Sequence, residues 1–312
     1  MKQMKRTARS QGFHGRLSDV DLRLLRVFRV IVESGGLSTA QVELGIGRST
    51  ISKHLADLEQ RLGLRLCDRG RAGFIVNDDG LEVYRAVLQL FTAAEDFQSR
   101  VNAVHAEHVG TLHLGFVDGA VTDDLSPVGP AIARFRKIAP RVHLHLRVAS
   151  PDLIEKEVLD GTLHLGVLPL FHRHASLEHR LLYEEEAALY CSKSHPLYDI
   201  PDARLRWQDL ASEDLVFRTY PVPAAFRKLK DHFEISATTS STEGIGLLIL
   251  SGEFLGFLPT NYAENWVATG KIRKLLPKRT QFKTPIVLIT RKGKTHPHLV
   301  SEFLDLLPSR PA

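Results

Sequence analysis

Six of the seven residues from position 48 to position 54 can donate a hydrogen bond: Arg48, Ser49, Thr50, Ser52, Lys53 and His54. A guanidinium can fork onto the O6 and N7 edge of a guanine. Hydroxyls, imidazole and ammonium groups reach base edges or phosphate oxygens. This is the chemistry of reading a duplex rather than of breaking a bond. Arg69 and Arg71, on either side of Gly70, make a second basic point suited to phosphates or a minor groove. A solvated hairpin tip would carry the same residues.

The charge distribution agrees. The chain has 312 residues and a net charge of +5. Residues 1–80 hold 14 Lys/Arg against 9 Asp/Glu, so the whole excess lies in the first quarter and the remainder is neutral. Clustered positive charge displaces counterions from a phosphate backbone. Residues 1–17 read as a basic, disordered arm. They lack the apolar core of a secretory signal, and no stretch is long and apolar enough to span a bilayer, which predicts a cytoplasmic protein.

Other chemistry has less support. Motifs of the form GxGxxG, GxxxxGK[ST], GxSxG and HExxH are missing from the sequence, so no enzyme and no cofactor are expected. Two cysteines, Cys67 and Cys191, exclude a disulfide framework and a four-thiolate metal centre. Reduced, buried thiols are the plain reading and a redox switch the alternative. His113, His143, His145, His164, His172 and His174 permit a metal-sensing variant. They lack a carboxylate at an obvious supporting spacing, so no metal ligand is assigned.

The donors at 48–54 need a rigid platform. Ser18 caps a first helix, with Asp19 and Asp21 in its first turn and Leu24, Leu25, Phe28, Ile31 and Val32 on one face. Gly35 and Gly36 end it. Residues 38–41 read as a capping box with Ser38 at the cap, opening a short helix that stops before Gly45. A third helix sets Ile51, Leu55, Leu58 and Leu62 toward a core and leaves the donors outside. Short helix, glycine turn and longer helix make a helix-turn-helix. Two short β-like runs around Arg69, Gly70, Arg71 and Gly73 add a wing. With Ser38 and Thr39 on the second helix, the predicted DNA contacts are Ser38, Thr39, Arg48, Ser49, Thr50, Ser52, Lys53, His54, Arg69 and Arg71. The module spans 18–77.

From Asn77 to about His108 no proline interrupts a helix-favouring sequence. Val83, Val87, Leu90, Ala94, Phe97, Val101 and Val104 alternate spacings of four and three, a coiled-coil seam. The segment 78–108 is therefore expected to pair with a second copy.

These features resemble the LysR-type transcriptional regulators. The likeness is carried by Leu24, Arg26 and Phe28, by residues 38–44, by the run 49–59, by residues 62–66, and by Arg69 and Gly80. It implies a winged helix-turn-helix followed by a long dimerisation helix. Gly47-Arg48 stands where the family usually has Ser-Gln, Cys67 where Phe is common and Asn77 where Thr is common. Arg48 therefore implies an altered base preference.

Beyond residue 109 the pattern changes to β-α-β-α-β. Strands at 110–116, 142–148 and 161–167 alternate with helices at 130–138 and 151–160, hence a parallel α/β sheet. A second unit begins near Glu186, with strands at 187–191, 215–218 and 235–239 and helices at 224–232 and 243–250. The chain returns through a strand at 285–291 and a helix at 297–307. Two such lobes resemble a periplasmic-binding-protein-like effector domain, which is also the family's second half. The expected division is lobe I at 109–185 and 279–312, and lobe II at 186–278. His164 stands where the family commonly has an acid.

The likeness implies an effector between the lobes, touching Asp118, Gly119, Ser150, Pro151, Arg218, Thr219, Thr242 and Phe257. Arg218 and the hydroxyls suit a carboxylate, whereas Asp118 opposes one. The partners expected are double-stranded DNA, a small-molecule effector, further copies of this chain as a homodimer or homotetramer, and RNA polymerase, with no membrane. A solute-binding protein is the competing class, disfavoured by the reading head at 18–77.

Overall fold

A computed structural model describes residues 16–70, 73–105, 107–220, 232–293 and 296–308. Residues 1–94 form one compact unit and 95–312 another, and each is taken by itself. Residues 1–15 of the expected basic arm and most of the helix expected at 224–232 lie outside the described residues.

In the first unit α1 (Asp19–Glu33) is capped as expected, with Ser18 and Asp21 satisfying each other's amides. Helix α2 (Leu37–Leu44) corrects the expected capping box. Its N-cap is Gly36, at φ 154°, and no side chain caps it. The helix starts two residues early: Leu37 is buried in the core, and the turn leaving α1 passes through Gly35 and Gly36, both at positive φ. Ser38 consequently lies one residue inside the helix, exposed. Helix α3 (Arg48–Leu62) runs between Gly47 and Gly63, the latter left-handed at φ 64°. Ile51, Leu55 and Leu58 are buried against Leu24, Phe28 and Ile31 of α1.

The wing is the antiparallel pair β1 (Cys67–Gly70) and β2 (Gly73–Val76). The backbone amides entering β1 are held by a side chain: Glu59 Oε1 accepts from Leu66 N–H at 2.8 Å and Cys67 N–H at 3.3 Å. Helix α4 (Asp78–Val104) then begins on Asn77, whose Oδ1 accepts the Gly80 amide at 2.8 Å. A Cβ at Gly80 would overlap the Leu66 carbonyl and come within 2.8 Å of Val76 Cγ1, so only glycine fits under the wing.

Helix α4 revises two expectations. It ends at Val104 rather than near 108, because the chain must turn into the next strand; His105 and Glu107 amides both close on the Asn102 carbonyl. The apolar seam also divides. Val87 is buried in the head's core with Val83 and Leu90 packed beside it. Phe97 (68% exposed), Val101 (43%) and Val104 (84%) are uncovered. At about 1.5 Å per residue this helix is ~40 Å long, with its free apolar stripe confined to the second half.

Among the described residues the second unit is built on one nine-stranded mixed sheet, in the order Arg141–Val148, Val109–Phe116, Leu165–Pro169, Phe282–Arg291, Leu177–Ser192, Leu255–Pro259, Asp214–Arg218, Glu234–Thr239, with Ile272–Lys274 on Leu177–Ser192. Its first half is β3 (Val109–Phe116), α5 (Val128–Ile138), β4 (Arg141–Val148), α6 (Pro151–Asp160) and β5 (Leu165–Pro169). Strands β4, β3 and β5 are parallel. The sequence likeness between 110–116 and 161–167 is only half structural. Gly115 and Gly166 are partners in register, but Gly161 is the left-handed cap of α6 rather than the start of a strand.

The strand expected at 187–191 is the end of β6 (Leu177–Ser192), a single 16-residue strand. Both β6 and the returning β11 (Phe282–Arg291) run through both lobes and pair antiparallel. The expected division at 185/186 thus falls inside a continuous strand and that at 278/279 inside the short helix Pro277–Thr280, and Phe282 packs with lobe II. Lobe II continues with α7 (Trp207–Ala211), β7 (Asp214–Arg218), β8 (Glu234–Thr239), α8 (Thr242–Ser251), β9 (Leu255–Pro259), α9 (Thr260–Ala268), β10 (Ile272–Lys274) and α10 (Pro277–Thr280). Helix α11 (His298–Asp305) closes the chain, burying Leu299, Val300 and Phe303 in lobe I, where Phe303 meets Phe135 edge-on at 5.5 Å.

Candidate nucleic-acid interface and ligand cleft

The stripe of Ile51, Leu55 and Leu58 fixes what α3 shows outward. At about 100° per residue, positions 49, 53, 56 and 60 lie opposite that stripe. Ser49, Lys53, Ala56 and Gln60 are exposed there. Ser49, Thr50, Lys53 and His54 share an open groove with Arg23, Gln60 and Arg61. Arg48, exposed, and Ser52, half-buried, lie on one flank of α3. Ser38 and Thr39 are exposed on α2. Arg69 belongs to β1, and Arg71 lies outside the described residues. Sequence reading missed Arg23, Ala56 and Gln60, although the same helical spacing contains the last two.

The helix starts differ in a useful way. Helix α1 has its first amides met by Ser18 and Asp21. Helices α2 and α3 begin on glycines with no side-chain cap. The first N–H groups of a helix have no intrahelical acceptor and carry the positive end of its dipole. Uncapped starts therefore present donors to an anion such as a phosphate.

The orientation of α3 is set by a pair far apart in sequence. Asp21, 2% exposed, accepts Ser18 N–H at 2.8 Å and both Nε and Nη2 of Arg61, the latter at 3.0 Å. Arg61, aided by Ser18, holds the Asp21 carboxyl at about 2, below its ordinary 3.8. This ion pair ties the first turn of α1 to the last turn of α3.

In the second unit a cleft opens at the carboxyl ends of β3 and β5, where open α/β sheets bind ligands. Val117, Asp118, Phe171, Glu185, Arg218, Tyr220, Thr242, Phe257 and Thr284 are among its lining. The open space within and above the cleft is about 570 Å³, mouth and adjoining solvent included. Of the predicted effector contacts, Asp118, Arg218, Thr242 and Phe257 meet there. Gly119, Ser150, Pro151 and Thr219 do not join the lining. Gly119 makes the left-handed turn after Asp118, at φ 80°. Ser150 is the N-cap of α6, and Pro151 is the buried first residue of that helix. The Thr219 side chain is exposed while its amide donates to Thr239 O at 3.0 Å. Phe171, Glu185, Tyr220 and Thr284 were missed because they come from β6, β11 and loops that only the folded sheet brings together.

The opposition between Asp118 and Arg218 has a structural answer. Asp118 Oδ2 accepts the Thr242 amide at the start of α8, and the Gly244 N–H of the same turn goes to Ser241 Oγ at 3.0 Å. Its charge is thus matched by a helix N-terminus. The Arg218 guanidinium donates to two neutral hydroxyls, Tyr220 Oη and Thr242 Oγ1, the latter at 3.2 Å. Phe171 stacks on Tyr220 at 6.0 Å. Burial pushes the Glu185 carboxyl up to about 7, against the pull of Arg218. Among the described residues, the hydrogen-bond partners of this cation are neutral hydroxyls.

The histidines that suggested a metal are organised otherwise. His113 meets His145 and His164 at ring distances of 5.1 and 5.2 Å. The carboxylates that sequence spacing did not reveal come from α4: Glu95 lies 3.1 Å from His113 and Asp96 3.0 Å from His164. His164 Nδ1 accepts the His113 amide at 3.0 Å, which leaves Nε2 to face Asp96. Both thiols are buried and unbridged, and burial pushes Cys191 up to about 11, away from thiolate reactivity.

Comparison with known proteins covers both units. Residues 22–81 match the family described as bacterial regulatory helix-turn-helix protein, lysR family, and residues 105–311 match the LysR substrate binding domain. The HTH-type transcriptional activator BauR of Pseudomonas aeruginosa is 42% identical over 292 residues, covering 93% of this chain and 95% of that protein. The HTH-type transcriptional regulator CrgA of Neisseria meningitidis serogroup B is 27% identical over 298 residues, 91% and 94% of the two chains. Among solved structures, full-length CbnR complexed with its target DNA superposes with a TM-score of 0.65 at 20% identity, covering 91% of this chain and 97% of that one. Full-length OxyR C199D of Pseudomonas aeruginosa gives 0.56 at 16% identity, covering 94% and 95%. These two show the fold. Among the described residues no helix is long and apolar enough to cross a membrane.

Proposed function

The chain belongs to the LysR-type transcriptional regulators, which bind DNA through the helix-turn-helix and carry an effector-binding domain, and on that premise we propose which residues read DNA and what the effector is. The face of α3 bearing Ser49, Lys53, Ala56 and Gln60 enters a major groove. Arg48 and Ser52 reach bases on one flank, and Thr50 and His54 on the other. Ser38, Thr39 and the amides opening α2 and α3 hold phosphates, and Arg69 and Arg71 are assigned phosphate or minor-groove contacts. The observation carrying this reading is the pair of uncapped helix starts beside a cationic face, in contrast to the capped α1. Fluorescence anisotropy with duplexes from the gene's own upstream region tests it. Specific binding with a steep salt dependence is expected. Equal affinity for all duplexes, or no dependence on salt, overturns it.

The effector in this reading is a small carboxylate held by Arg218, with Thr242 and Tyr220 beside it. Support comes from the Arg218 charge facing neutral hydroxyls while Asp118 is engaged by the start of α8. Calorimetric titration with a panel of small carboxylic acids should find a binder that Arg218→Met loses. A neutral ligand bound equally by both forms would sink the assignment. Two copies pair through the uncovered half of α4, and pairs assemble into a tetramer. The effector shifts DNA geometry only by binding two assemblies unequally. Identical footprints with and without it exclude that control. The relative 42% identical is named an activator, and activation by contact with RNA polymerase in the cytoplasm is the direction adopted. The family regulates transcription, and no enzymatic step is proposed.

A further inference from the structure

We propose that His108, His298 and Glu302 form a binding site for a divalent transition-metal ion of the zinc class. His298 and Glu302 stand four residues apart on α11 and so share one face. His108 comes from the segment between α4 and β3 and meets them from the side. His108 Nε2 lies 2.8 Å from Glu302 Oε1, and His298 Nδ1 lies 3.6 Å from the same oxygen. The two imidazoles are edge-on, 5.6 Å between centroids. One donor atom from each residue falls within 4.8 Å of the other two. Bonds of ~2.0–2.1 Å in tetrahedral geometry place donor atoms ~3.3 Å apart, so the measured spacings straddle that value.

A second observation points the same way. The other carboxylate oxygen, Glu302 Oε2, is buried with no hydrogen-bond partner among the described residues. Buried carboxylate oxygens are ordinarily satisfied, and the left-over oxygen of a residue already facing two imidazoles has a lone pair available to a metal. The donors select the metal. Two imidazoles and one carboxylate suit Zn²⁺, Ni²⁺ or Cu²⁺, whereas Mg²⁺ and Ca²⁺ require oxygen shells. Side-chain exposures of 32%, 47% and 23% leave room for water in the fourth position. None of the three residues lines the cleft or belongs to the reading head, so the site is independent of the function proposed above. Its occupant would clamp the segment leaving α4 to the last helix of lobe I.

The test is Zn²⁺ titration of the full-length chain, stripped with chelator, in competition with a chromophoric zinc indicator. One high-affinity equivalent per chain is expected. His108→Ala, His298→Ala and Glu302→Gln should each weaken it by at least ~10-fold, while the paired variant His172→Ala with His174→Ala keeps it. If the equivalent survives in the three variants, or never competes with the indicator, the proposal is wrong. Co²⁺ on the unmodified chain gives a readout independent of variant folding. A visible spectrum of nitrogen and oxygen ligation supports the site, and thiolate charge-transfer bands overturn it by assigning the ion to cysteine.

Discussion

Glu185 is a half-buried carboxyl group lining the ligand cleft beside Arg218, and replacing it with glutamine should remove a large pH dependence from this domain. Its carboxyl titrates at about 7 in the folded state against 4.5 ordinarily, chiefly through burial. The folded state therefore holds its proton more tightly than the unfolded chain does. The stability this confers is full below pH 4.5 and is lost as pH rises through about 7. A shift of about 2.5 units at ~1.36 kcal/mol each sets the size at about 3 kcal/mol. Glutamine is the neutral isostere and never ionises. Near pH 4.5 the variant should match the native chain, and by pH 8 it should be more stable by up to about 3 kcal/mol. The assay can be confined to the right domain, because the chain's two tryptophans, Trp207 and Trp266, both lie in the second unit. Urea unfolding followed by tryptophan fluorescence from pH 5 to 8 thus reports on the cleft-bearing unit alone. Parallel pH profiles for the two proteins would refute the placement of a protonated Glu185 in the cleft.

Arg48→Gln should change base preference at one position of the DNA site by about 1–3 kcal/mol, measured by selection from a random duplex pool. Lys53→Ala, on the face placed in the major groove, should weaken the specific duplex more than unrelated duplexes, as anisotropy with both would reveal. Phe97→Glu, placed on the uncovered half of α4 where Phe97 is 68% exposed, should shift light-scattering mass toward the monomer while leaving far-ultraviolet dichroism intact. Gly80→Ala should destabilise the head by more than ~2 kcal/mol, because its Cβ has no space between Leu66 O and Val76. A head whose DNA affinity and proteolytic resistance survive that change would refute the tight-wing packing.

Much of the reading head was legible because local rules and global fold agree there. The stripe of Ile51, Leu55 and Leu58 makes α3 a helix and also decides which residues face outward. Ser38 was misjudged as a cap because local capping chemistry ignored the demand to bury Leu37, which starts α2 on Gly36. The seam on α4 was visible as spacing, yet spacing does not say who covers it. The head's own core takes Val87 and its neighbours, leaving the second half of the helix bare.

The sequence by itself determined the helix-turn-helix, the long helix and the alternating α/β order, since each rests on contacts between residues a few positions apart. Only the tertiary structure decided the pairings across distance. Arg61 reaches Asp21 across 40 residues, and Asp118 reaches the start of α8 across 124. His108 reaches Glu302 across 194. Such pairs leave no periodic trace, because their geometry is set by how strands β6 and β11 and the packed helices bring distant ends together. The charge of the cleft, which the residue types left undecided between Asp118 and Arg218, follows from that same arrangement.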